Sequence, residues 1–209
     1  MKKFNLSIIV ALLVFILMSG SVYAQETKTL LGSDTDIGFV WGLDLKTSSI
    51  KNDIGTSYDL YGGALFNQST FLGVAFGLNV THPKLNQGYI VLLAQYTYKP
   101  DNLIHYSGQL LLGAGSAKGY EQKKSSILDN FGNITGPGFY LIEPGVNVEF
   151  NLTKKTRLLI GLSYRYVTGL GDLTFEQEDW ESNISKQYTY SDTDLSSLNF
   201  NIGVKIGKY

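Results

Sequence analysis

The stretch YLIEPGVNVEFNLTKKTRLLIGLSYRYV, Tyr140 to Val167, decides the fold. It reads as two alternating runs hinged on Thr153-Lys154-Lys155. One parity carries Tyr140, Ile142, Val146, Val148 and Phe150, then Leu158, Ile160, Leu162, Tyr164 and Tyr166. The other carries Glu143, Gly145, Asn147 and Glu149, then Arg157, Gly161, Ser163 and Arg165. A period of two over this length marks strands with two unlike faces, so the segment is a β-hairpin. What remains is which face meets oil.

Outward from the hairpin, period-2 runs recur near 36–47, 55–66, 71–81, 88–99, 104–115 and 197–208, beside the hairpin's own 139–151 and 156–168. No long 3.6-period segment interrupts them, so the chain is all-β with about eight strands. Most runs reach the roughly 9–11 residues that a tilted membrane strand needs. The links Asn67-Gln68-Ser69-Thr70, Pro100-Asp101-Asn102-Leu103 and Leu152 to Lys155 are short, whereas 116–138 and 169–196 are long. Those at 48–54 and 82–87 fall on the long side but are brief. Tight periplasmic turns alternating with longer extracellular loops are the pattern of a transmembrane β-barrel.

A soluble sandwich also alternates, with its apolar face turned inward. Here the polar parity is rich in Gly38, Gly42, Gly63, Gly73, Gly77, Gly113, Gly145, Gly161 and Gly203, with Asn79, Asn147, Asn201 and Ser163. Glycine is a poor choice for a solvated sheet surface, but small residues and a few charges suit a narrow barrel interior. The opposite parity is bulky: Phe39, Trp41, Phe76, Leu92, Phe200 and Ile202 are examples. Tyr58, Tyr96, Tyr98, Tyr140 and Tyr166 stand at run ends, as in an aromatic girdle. Hydrocarbon supplies no partner for free N–H and C=O groups, so a membrane sheet must close on itself. Pro144 removes a ladder donor from a strand without an edge, and a bulge is expected at Pro144-Gly145.

Lys2 and Lys3 precede an apolar run from Leu6 to Met18, and Val22-Tyr23-Ala24 offers a cleavage site, so residues 1–24 read as a secretory signal and 25–209 as the barrel domain. Removal of those two lysines leaves 15 basic against 18 acidic residues, a net charge of −3. That is far from the basic footprint of a nucleic-acid binder. The absence of cysteine excludes disulfides, thiolate metal sites and a lipoprotein anchor.

The Glu143-Pro144-Gly145 strand, the NLTKKTRLLIGLSYRYV hairpin and the ending GVKIGKY resemble the penultimate hairpin and closing strand of the small outer-membrane β-barrel proteins of Gram-negative bacteria, in the form common among Bacteroidetes. The resemblance covers nearly all of the mature chain. It implies an outer-membrane location, membrane lipids and the barrel-insertion machinery as partners, and a terminal aromatic as insertion signal. Tyr209 supplies that aromatic, on the polar parity of its strand.

No phosphate-cradling loop, H-E-x-x-H helix or G-x-S-x-G elbow is present. His105 and Ser107 share one strand face and form the only candidate base and nucleophile, faintly similar to the His-x-Ser element of outer-membrane lipid A deacylases. They lie on the lumen parity next to a short turn, where lipid cannot reach. Asp44, Asp59, Glu143, Glu149, Arg157, Arg165 and Lys205 all fall on the polar parity and should pair across the lumen, because each would be costly if buried alone. The 169–196 link carries Asp172, Glu176, Glu178, Asp179, Trp180 and Glu181 among other acids and aromatics, an acidic surface without regular Ca²⁺-loop spacing. The sequence therefore points to a monomeric, non-enzymatic barrel without metal or cofactor, acting structurally or through its long loops on an extracellular ligand that the residues do not name. A small-solute channel is the alternative, and a lipid-modifying hydrolase the remote one.

Overall fold

The computed structural model describes residues 35–51, 53–79, 85–119, 136–179 and 184–209, so the expected signal at 1–24 lies outside the described residues. Eight strands pair antiparallel into one closed barrel. They are β1 (Ile37–Ile50), β2 (Asp53–Phe66), β3 (Thr70–Asn79), β4 (Leu85–Tyr98), β5 (Ile104–Gly119), β6 (Gly138–Thr153), β7 (Thr156–Thr168) and β10 (Ser197–Gly207). β10 closes the wall by pairing with both β7 and β1, with Val40 opposite Gly207 and Trp41 opposite Ile206. Between β7 and β10 stand a separate two-stranded sheet, β8 (Leu173–Asp179) with β9 (Ile184–Tyr190), and one helical turn, α1 (Asp192–Leu195).

The β2–β3, β4–β5 and β6–β7 turns lie at one end; at the other, the link expected at 48–54 is just as short, since β1 runs to Ile50, directly opposite Asp53 at the start of β2. Asn67 and Gln68 both have positive φ, 48° and 58°, in the β2–β3 turn, the left-handed backbone that matches the twist of a tight hairpin. At the opposite end β1 and β5 run to Ile50 and Gly119, beyond the 47 and 115 expected from alternation. Backbone pairing continues there after lipid has stopped demanding one apolar face, and alternation is the signal that fades first.

In the hairpin Ile142 stands opposite Tyr166, Gly145 opposite Ser163, Val148 opposite Ile160 and Asn151 opposite Arg157, all in one register. The bulge expected at Pro144-Gly145 is therefore absent. Proline withholds a donor, but β6 continues unbroken beside β5 with Leu110 opposite Pro144, and no extra residue is inserted. The shift in register falls instead between Asn151 and Thr153, at the turn.

The bulky parity points outward. Phe39 is 65 % exposed, Leu92 66 % and Tyr140 68 %, and they belong to a belt of exposed aliphatic and aromatic residues on every barrel strand. In water that area would favour association or collapse, since each Å² of apolar surface is worth roughly 25 cal/mol; against lipid it costs nothing. The inward parity is less polar than the sequence suggested. It also holds Tyr61, Phe71, Tyr89, Val91, Leu93, Leu111, Phe139, Leu141 and Leu159, all buried. The glycines accommodate these rings. Gly42 lies opposite Tyr61, Gly77 opposite Tyr89 and Gly115 opposite Phe139, and a Cβ at Gly77 would sit 2.1 Å from the Tyr89 ring. Each is a socket over which the neighbouring strand's aromatic lies.

Candidate functional site: the filled lumen and its cap

Alternation turns the seven expected lumen residues inward, and all seven are buried. Six gather into two clusters at different heights. The upper one is centred on Glu143, with no exposed surface. Arg165 Nε lies 2.7 Å from its Oε2, Lys46 Nζ 2.7 Å from its Oε1, and Ser163 donates to Oε1 at 2.8 Å. Lys46 also pairs with Asp59 at 2.7 Å, Tyr89 donates to Asp59 at 2.5 Å, and Arg165 Nη2 donates to the Tyr89 hydroxyl at 2.7 Å. Two carboxylates thus face two cations with their lone pairs largely satisfied, the condition under which buried ion pairs are tolerated.

The lower cluster surrounds Glu149, equally buried. Lys205 Nζ approaches at 2.7 Å and Ser107 donates at 2.6 Å; Gln95 donates as well. His105 Nε2 stands 3.4 Å away and Arg157 Nη1 3.8 Å away. Arg157 spreads its guanidinium over the Tyr209 ring at 3.7 Å, so Tyr209 turns into the mouth at the short-turn end, as its parity implied. Asp44 joins neither cluster by an ion pair. It lies opposite Asp59 in the β1–β2 register, and its Oδ1 has no hydrogen-bond partner among the described residues.

Ser107 and His105 are both held by Glu149, and His105 Nδ1 lies 3.0 Å from the Asn102 carbonyl. With both at most 4 % exposed, the pair lacks the serine–histidine contact and the substrate access that hydrolysis needs. Lys46, Tyr89 and Gln95 belong to the clusters but were not among the expected residues, and Ser163 was expected on the lumen face but not in the charge network. Lys46 was within reach, two residues from Asp44 on the same parity.

The 169–196 link, expected as an open loop, is folded over the mouth. Asp192 accepts hydrogen bonds from Gly169 N at 3.1 Å and Leu170 N at 2.8 Å, while Val167 N donates to Ser196 Oγ at 2.9 Å. Leu170, Leu173, Tyr190 and Leu195 are buried in one cluster with Ile50 and Leu85 from the barrel rim. Phe175 stacks on Tyr190 with ring centroids 5.8 Å apart. Lys51 lies 5.1 Å over the other ring of that stack, Tyr190, and donates to the Thr189 carbonyl. Burial, reinforced by nearby Asp53 and Asp194, pushes the Tyr190 phenol up to about 12. Of the expected surface residues, Asp172 and Glu176 are exposed, and Glu178 and Asp179 lie on β8. Trp180 and Glu181 lie outside the described residues.

A closed eight-stranded antiparallel barrel with a lipid-facing belt and a filled interior defines the class of small outer-membrane β-barrels. No protein-family model matches the sequence, and no curated protein matches it significantly. Among solved structures, the N-terminal β-barrel domain of Pseudomonas aeruginosa OprF is similar with a TM-score of 0.54 at 9 % identity, covering 81 % of this chain and 96 % of that one. Neisserial surface protein A (NspA) is similar with a TM-score of 0.51 at 15 % identity, covering 83 % and 99 %. At such identities the likeness is one of fold.

Proposed function

We propose that this protein is a non-enzymatic outer-membrane barrel that presents the β8–β9 hairpin at the cell surface, with its lumen serving structure instead of transport. The observation that carries the reading is the filling of the interior: two buried ion-pair clusters sit among packed aliphatic and aromatic side chains, below a capped mouth. An eight-stranded barrel is just wide enough for its own side chains, and charges engaged at 2.7 Å are costly to pull apart. The Pro144 strand and the closing GVKIGKY support the Bacteroidetes form of the family. Membrane lipids and the insertion machinery are its expected partners, and it acts as a monomer.

The test keeps the buried root of the cap. Residues 175–188 are replaced by a two-residue turn, and the host carrying this allele is compared with a deletion strain for fitness and surface attachment. The trimmed protein should still show a heat-modifiable gel shift while its host reproduces the deletion phenotype. If the trimmed allele behaves as wild type and Arg165→Ala changes permeability, the small channel replaces this reading.

A further inference from the structure

Among the described residues, the lipid-facing wall carries a notch at Gly108. Gly108 points outward on β5, and a Cβ built there would meet nothing within 4 Å. Its row-mates across the sheet are bulky: Tyr96 on β4, Val146 on β6, Leu162 on β7 and Phe200 on β10. Gly108 opens onto a groove of about 620 Å³ along the wall. Toward the short-turn end it is flanked by Tyr98 and Tyr106, which stand directly opposite each other.

Depth and charge identify an occupant. Gly108 stands four residues above Ile104, the first residue of β5. At about 3.4 Å per residue along a strand tilted by about 40°, it lies roughly 10 Å into the bilayer. That is within the roughly 15 Å of hydrocarbon belonging to one leaflet. Beneath the groove the β4–β5 and β6–β7 turns carry Lys99, Lys154 and Lys155 against the single acid Asp101, and all four are exposed. Lys99 is steadied over the Tyr98 ring at 5.2 Å. We propose that this groove seats one acyl chain of an anionic glycerophospholipid of the periplasmic leaflet, with the phosphate held by the turn lysines. A chain rooted at that level reaches Gly108. The phenols of Tyr98 and Tyr106 flank its ester region, where tyrosine's apolar ring and polar tip are both satisfied. A lipid of the opposite leaflet would have to place its headgroup at the far end of the barrel.

The test is native mass spectrometry of the full-length mature barrel in mild detergent, titrated with phosphatidylglycerol and, separately, phosphatidylethanolamine of the same chains. Wild type should retain one phosphatidylglycerol. Gly108→Leu fills empty space without disturbing the wall, so a heat-modifiable gel shift should confirm its folding. It should bind about tenfold more weakly, the equivalent of losing roughly two buried methylenes. The triple change Lys99→Gln, Lys154→Gln, Lys155→Gln should erase the preference for phosphatidylglycerol over phosphatidylethanolamine while leaving retention of a chain intact. Equal retention by wild type and Gly108→Leu, no retained phospholipid, or co-purified lipopolysaccharide that Gly108→Leu does not displace would each overturn the proposal.

Discussion

Glu143 holds two cations, and its removal strands both. Glu143→Ala should destabilise the barrel by about 3–5 kcal/mol, because Lys46 and Arg165 would stay buried without their carboxylate. A double-mutant cycle with Arg165 should return a large coupling, and the matching cycle for Glu149 and Arg157 a much smaller one, since that contact is 3.8 Å against 2.7 Å. Urea unfolding in lipid vesicles reads both; equal couplings would refute the two-cluster description. Gly77→Val should cost about 1–3 kcal/mol by overpacking, and more in the same assay if displacement of Tyr89 also releases its bond to Asp59. At this scale the sequence was half legible. A period of two assigns each charge to a face, which is why all seven expected residues are found inward. It says nothing of height or of the strand across the lumen, so Gln95 beside Lys205 and Tyr89 beside Arg165 were beyond it, and glycines that serve as ring sockets read only as small residues.

The element that departs most from expectation is the link between β7 and β10. Leu173, Phe175, Tyr188 and Tyr190 alternate as strand residues do, but the intervening acids read as a solvated loop, and seven-residue strands give a short signal. Asp192 and Asp194, counted among those acids, are spent on backbone amides of the cap. Tyr190 gives the cap a pH limit. Its phenol is raised from 10.0 to about 12 in the folded state, so the folded form holds the proton more tightly and the stabilisation is complete below pH 10.0. It is lost as pH rises through about 12. Hydrogen exchange of the amides from Leu170 to Leu195 should therefore accelerate across that window, beyond the intrinsic base dependence, while amides of β4 to β6 keep their protection. Tyr190→Phe should remove the extra acceleration; its persistence would assign the effect to another group.

For the molecule as a whole, a filled lumen predicts absent or very small conductance in planar bilayers, and stable large channels would contradict the packing described above. The barrel was the most legible level of all, because the hydrocarbon imposes one rule on every strand at once: an apolar outer face and no free edge. Closure has a further consequence, in time. Val40 finds Gly207 only after everything between them has been made, and contacts so distant in sequence form slowly. Until then the wall has open edges and cannot rest in a bilayer. Because its apolar runs are short and broken by polar residues and charges, no stretch from 35 to 209 approaches the roughly 18 consecutive apolar residues that would lodge as a helix. The chain can cross one membrane as an unremarkable polar string, and it acquires an oily surface only at the moment its final strand meets its first.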